Sequence, residues 1–132
     1  MKYMLLMSST KSQFNSYVTW SKEDLAESVS FMRSFAQELE DTGVLVLTEG
    51  LGFPNEAKLV HAGSDGQPVT DGVFPESKEF LAGFWIIDVE SPEEAYQVAA
   101  KASAGSPSLR RKFGSMPIEV RKVMDSAPEE WQ

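Results

Sequence analysis

The sequence predicts an α+β fold: a ferredoxin-like split β-α-β sheet carrying an inserted β-hairpin. Three observations predict it. Short apolar runs of strand length recur at residues 3–7, 44–48, 82–89 and 117–124. Two longer stretches between them carry helix caps and helically spaced apolar residues. In chain order these give strand, helix, strand, hairpin, strand, helix, strand, which is the order of the split β-α-β arrangement.

Each element has its own justification. Tyr3, Met4, Leu5, Leu6 and Met7 make a first strand that is apolar on both faces. Residues 8–20 read as a polar loop holding three aromatics, Phe14, Tyr17 and Trp20. Ser21 is a good helix N-cap, and Glu23 and Asp24 fall in the first turn, where the helix dipole favours acids. Leu25, Val29, Met32, Phe35, Ala36 and Leu39 then form one apolar stripe. Gly43 stands where a left-handed C-terminal cap belongs, so a helix is predicted over about residues 22–42. Residues 44–48 are the second strand; Glu49-Gly50-Leu51-Gly52 follows and Phe53-Pro54-Asn55 breaks it. Residues 57–71 have the pattern of a hairpin, with its turn at Gly63-Ser64-Asp65-Gly66. Asp71-Gly72 turns again before residues 82–89, the central strand candidate. Ser91, Pro92 and Glu94 spell a second helix start with a capping box. Its apolar face is Ala95, Val98, Ala99 and Ala102. Residues 103–116 read as a Gly/Ser/Pro/Arg loop, 117–124 as the last strand and 125–132 as an acidic tail. The 132 residues show no internal repeat and make a single domain.

Composition narrows the function classes. The formal charge is -8, which argues against a nucleic-acid-binding surface. Positive charge is nevertheless gathered late in the chain, at Lys101, Arg110, Arg111, Lys112, Arg121 and Lys122. This is either a solvated segment or a basic rim that meets an acidic subunit surface or an anionic ligand. The chain has no cysteine, which excludes thiolate catalysis, disulfides and Cys-type zinc sites and suits a reducing cytoplasm. No segment approaches the ~20 apolar residues of a membrane helix. The apolar start, Met1 to Met7, is too short for a signal peptide and lacks a small-residue cleavage site. A cytoplasmic protein with no membrane partner is expected. No cofactor or metal is expected either, for the sequence has no dinucleotide, phosphate-loop or paired-histidine motif.

The strand pattern carries a second expectation. Two helices cover one face of such a sheet, yet Met4 and Leu6 oppose Tyr3, Leu5 and Met7, while Phe84 and Ile86 oppose Trp85 and Ile87. A sheet with one solvated face alternates apolar with polar residues. The second face therefore needs a cover: the same sheet of another subunit in a two-fold homodimer, or the loops 8–20, 52–80 and 103–116 of the same chain.

Several short patterns, in order along the chain, resemble the YCII-related, DGPF-domain family. They are Lys2-Tyr3-Met4-Leu5-Leu6, Gly43-Val44-Leu45-Val46 with Glu49-Gly50-Leu51, and Val69-Thr70-Asp71-Gly72 with Phe74, Glu76, Lys78 and Glu79. Ala82-Gly83-Phe84, Ile87-Asp88-Val89 and Ile118-Glu119-Val120-Arg121 complete the set. Where the family's namesake tetrapeptide has proline, this chain has Val73. The resemblance implies a dimeric α+β barrel with a cleft between sheet and helices. Some distant relatives resemble small hydrolytic or dechlorinating enzymes that pair a histidine on the first helix with an aspartate. Here that helix has no histidine, and Met32 falls near the expected place; the only histidine, His61, is in the hairpin. Other relatives are encoded beside sigma factors or stress regulators, which implies a regulatory or accessory role.

Candidate site residues follow from the residues themselves. Asp71, Glu76, Lys78 and Glu79 set carboxylates beside a lysine near aromatics, a pattern that can tune acid-base chemistry or simply make a turn with a solvated surface. Tyr3, Phe74 and Trp85 are candidates for an apolar wall, or else core. Glu49 at a strand end, with Arg121 on the last strand, is a candidate binding dyad or a structural ion pair. His61 is either a surface residue or an isolated ligand. The expected function is a homodimer with a small-molecule cleft, enzymatic or ligand-sensing. The alternatives are a non-catalytic interaction or regulatory accessory module and a hydrolase- or dehalogenase-like activity.

Overall fold

The computed structural model describes residues 1–71 and 78–132. Strand β1 is Lys2–Thr10 and runs directly into a short helix α1, Lys11–Tyr17. The long helix α2 is Lys22–Asp41 and strand β2 is Leu45–Gly50. A 3-10 turn, Pro54–Glu56, precedes the hairpin strands β3, Leu59–Ala62, and β4, Pro68–Asp71. Strand β5 is Glu79–Asp88, α3 is Pro92–Ala104, α4 is Pro107–Phe113 and β6 is Ile118–Lys122. The main sheet has the order β2-β5-β1-β6 and every neighbouring pair is antiparallel. Such a sheet with its two crossover helices is the ferredoxin-like α+β arrangement expected from the sequence, and β3-β4 form the separate hairpin.

Local chemistry explains the element ends. Ser21 caps α2 by accepting from the Asp24 N–H at 3.1 Å. At the other end Gly43, at φ 76°, closes a paired cap: its N–H donates to the Glu40 carbonyl and that of Val44 to the Leu39 carbonyl. Ser91 caps α3 as predicted, its Oγ accepting from Glu94 N–H, but the Glu94 carboxylate accepts from Glu90 N–H and not from Ser91 N–H as the expected capping box requires.

Cross-strand register decides which side chains share a face. Tyr3 lies opposite Ile87, Leu5 opposite Trp85, and Leu5 also opposite Val120. This face carries the core: Tyr3, Leu5, Trp85 and Ile87 pack with Phe35 and Leu39 of α2 and with Ala95, Ala99 and Ala102 of α3. The alanines let α3 lie close to the sheet, and Phe35 meets Trp85 edge-on with ring centroids 5.5 Å apart. The opposite face carries Met4, Leu6, Phe84 and Ile86, all half-buried and none of them part of that core. Leu47 lies in the same row, opposite Ile86, and is 45% exposed.

Two of the expected loops are helices instead. Residues 8–20 contain the end of β1 and α1, and residues 103–116 contain α4. Neither lies over the Met4–Ile86 face, because both converge with Met7, Ser28 and Met32 on the helix side. Nor does the hairpin: every residue of β3 and β4 is exposed. Among the described residues, the loops do not supply the intrachain cover.

Candidate functional site

Those of the residues singled out from the sequence that the structure describes are spread over the core, the hairpin and both edges of the sheet. Tyr3 and Trp85 are core residues, 7% and 4% exposed. Asp71 ends β4 and is exposed, Lys78 is an exposed bend residue, and Glu79 opens β5 opposite Thr10. Glu79 borders a second, open cavity of about 600 Å³ with Glu56 and Leu81, which shares Leu51, Phe53, Pro54 and Phe80 with the cleft on the helix side of the sheet. Phe74 and Glu76 lie outside the described residues. Glu49 and Arg121 are both exposed and belong to opposite edge strands of the sheet. Three strand spacings, roughly 14 Å, separate those edges, so the expected Glu49–Arg121 pair is not made within one chain. Arg121 instead lies 3.6 Å from Glu119 on its own strand. His61 is exposed in β3, and no group of three or more His, Cys, Asp or Glu side chains gathers among the described residues.

What does converge is a cleft of about 370 Å³ at one end of the sheet, on its helix side. Met7, Ser8 and Ser9 of β1 and Phe80 and Ala82 of β5 form the floor. Gln13, Phe14 and Tyr17 of α1, Ser28, Val29, Met32 and Arg33 of α2, and Leu109 and Phe113 of α4 form the walls, with Leu51, Phe53, Pro54 and Met116. The cleft exists because α1 and α4 are short, seven residues each, and stop before they can fill the space beside α2. Phe14, Phe53 and Phe80 make one aromatic wall. Phe14 is 4.8 Å from the Phe53 ring centroid and 6.5 Å, edge-on, from Phe80.

Polar groups in the cleft are few and oriented. Gln13 is held by the cap of α1, its Oε1 accepting from Thr10 N–H at 2.9 Å and from Ser9 Oγ at 3.2 Å. Its amide NH2 then has only the Met116 thioether, at 3.8 Å, as acceptor. A thioether accepts weakly, so the cap presents Gln13 Nε2 as a nearly free, fixed donor. Arg33 is exposed at the cleft and, among the described residues, has no ion-pair or hydrogen-bond partner.

A second polar cluster docks α4 on the start of α2. Ser108 is fully buried, and its hydroxyl lies 3.1 Å from Asp24 Oδ1 and 2.6 Å from Glu27 Oε2. Arg111 and Lys112 each lie 3.6 Å from Asp24, and Lys112 also sits 5.2 Å above the Trp20 ring. The Ser108 hydrogen bond, aided by the charges of Lys112 and Arg111, holds the Asp24 carboxyl below the usual carboxylate range against an opposing push from desolvation. The late positive charges are therefore largely engaged inside the chain: Lys101 pairs with Glu38 at 2.7 Å, Arg111 and Lys112 with Asp24, and Arg121 with Glu119. This favours a structural role over a free basic rim.

A family model for the YCII-related domain matches residues 1–112. The chain belongs to the YCII-related family. The match runs from β1 to the penultimate residue of α4, and of the cleft lining Phe113 and Met116 fall beyond it. None of the curated proteins compared matches the chain. In this YCII-related domain Met32, the residue nearest the place where distant relatives are expected to carry histidine, does line the cleft. A thioether stands there, which neither takes nor gives a proton. Sequence reasoning missed Gln13, Arg33 and the aromatic wall. The signal available for Gln13 was the Thr10-Lys11-Ser12-Gln13 capping-box spacing.

Proposed function

We propose that this YCII-related domain is a homodimeric small-molecule-binding protein whose ligand occupies the cleft between β1, α1, α2 and α4. The observation that carries the reading is the cleft itself: about 370 Å³, walled mostly by aromatic and aliphatic side chains, with a few fixed polar groups. Ligand sites of small proteins have that size and lining. The reading is binding rather than proton-transfer chemistry. Among the described residues lining the cleft none is His, Asp or Glu, and Tyr17 is the one side chain there of a type that serves as a general acid or base. A hydrolase- or dehalogenase-like reaction gains no support from this lining. The cysteine-free, acidic sequence suits the cytoplasmic setting that the reading assigns. Among the described residues no helix is long and apolar enough to cross a membrane.

The homodimer rests on a different observation, the row of Met4, Leu6, Phe84 and Ile86 that no described element of the chain packs into its core. A copy of the same sheet is a self-complementary cover for it.

Thermal unfolding across a panel of small metabolites tests the cleft. A ligand at a hundred times its Kd stabilises the native state by about 2.7 kcal/mol, which raises the midpoint by several degrees in a domain of this size. Val29→Trp, which fills the cleft from α2, is expected to abolish the shift. A flat response over the panel, together with a stoichiometric protein partner recovered on the purified chain, would replace this reading with the accessory-module one.

A further inference from the structure

We infer that the ligand is an apolar acid: a carboxylate, or a like oxyanion, on an apolar body of about a dozen non-hydrogen atoms. The inference deepens the cleft reading and rests on it. Size comes from the volume. The 370 Å³ of the cleft would hold about a dozen waters at ~30 Å³ each, and a ligand of similar atom count fills it. Apolarity comes from the walls, where Phe14, Phe53, Phe80 and Met32 offer no polar atom beyond a thioether.

Charge comes from an imbalance in hydrogen-bonding chemistry. Arg33 is the only formally charged side chain among the described residues lining the cleft, and no carboxylate neutralises it. That is the reverse of the chain as a whole, whose net charge is -8. Guanidinium groups donate only, and in a fork that matches a carboxylate. Gln13 adds a second donor of settled orientation. Its oxygen is committed to the Thr10 N–H and the Ser9 hydroxyl, so the NH2 faces a site where its one protein acceptor is sulfur. A cationic ligand would meet Arg33 with no compensating carboxylate, and a purely apolar one would leave the Gln13 NH2 with only its weak acceptor. An apolar acid satisfies both, with its carboxylate on Arg33 and an acceptor oxygen on Gln13.

Displacement of the neutral fluorescent probe N-phenylnaphthylamine by decanoate, decanol and decylamine tests this, since the three differ only in head group. Decanoate is expected to displace the probe roughly tenfold more tightly than decanol, with decylamine weakest. Arg33→Gln is expected to remove the advantage of decanoate over decanol. Gln13→Glu keeps an acceptor oxygen for the α1 cap but replaces the donor with a negative charge, and is expected to weaken decanoate and strengthen decylamine. Equal displacement by all three, or an order unchanged in both variants, would overturn the apolar-acid assignment while leaving the cleft as a binding site. Probe binding no tighter than to Val29→Trp would remove the cleft reading itself, and the ligand class with it.

Discussion

At Ser108 a single hydroxyl proton faces two carboxylates, with Asp24 on one side and Glu27 on the other, and two cations stand close by. Because the folded state lowers the Asp24 carboxyl below its ordinary value of 3.8, this contact adds stability at pH values above that range. The contribution is lost as pH falls through the depressed folded value, where the carboxyl finally protonates. Ser108→Ala should move the Asp24 titration upward, read by NMR of the side-chain carboxyl, and should make α4 loosen at a higher pH than in the parent protein. A carboxyl that titrates unchanged in the variant would mean the cations, not the hydroxyl, set its value. Thr10 holds the start of α1. Its hydroxyl accepts from Gln13 N–H at 3.1 Å, so Thr10→Ala should cost about 1 kcal/mol in urea unfolding. The same cap aims Gln13 into the cleft, so the variant should also bind cleft ligands more weakly.

The elements differ in how plainly the sequence announces them. Helix α2 was legible in full, because Ser21, an acidic first turn, an apolar stripe and Gly43 all agree and the structure forms Lys22–Asp41. Helices α1 and α4 were hidden although their caps are spelled out. Thr10 and Gln13 make a capping box, and Ser106 and Pro107 an N-cap with proline in the first turn. Seven residues are too few to show an apolar period, and the polar composition around them resembles a loop. The cleft was hidden with them, since these two helices build part of its walls. Tyr3 and Trp85 were the opposite case: strand alternation puts them on one face, but only the packed helices decide that this face is core rather than cleft. Gly105, which joins α3 to α4, has a backbone conformation that a side chain strains. It sits at φ 63°, and an added Cβ would lie 2.9 Å from Leu109 Cδ2. Gly105→Ala should therefore cost about 1–3 kcal/mol, measured by chemical unfolding. Because Leu109 lines the cleft, the variant should also lose ligand-induced stabilisation. A variant as stable as the parent would show that α4 accommodates the methyl by shifting.

For the whole molecule the deciding surface is the side of the sheet away from the helices. Its apolar character was legible from residues 3–7 and 82–89 alone, because both strands carry apolar side chains at consecutive positions. The occupant of that surface was not legible, since a strand pattern records that a face is to be covered without saying by what. The structure narrows the choice: α1, α4 and their flanking segments gather on the helix side, and β3 and β4 stand exposed. A second sheet packed about 10 Å away would bury Met4, Leu6, Phe84 and Ile86 against their own copies. Ile86 is at the centre of this row, opposite Met4 on one side and Leu47 on the other. Ile86→Glu would place an unpaired carboxylate in such an interface, at a cost of several kcal/mol, enough to separate the subunits at micromolar concentration. The substitution leaves the core intact, because the side chain points away from Phe35 and Leu39. Light scattering should thus give a particle of twice the chain mass for the parent and of one chain mass for the variant, with unchanged far-ultraviolet circular dichroism. A monomeric parent, or a variant that stays dimeric, would show that this face is not where two copies meet.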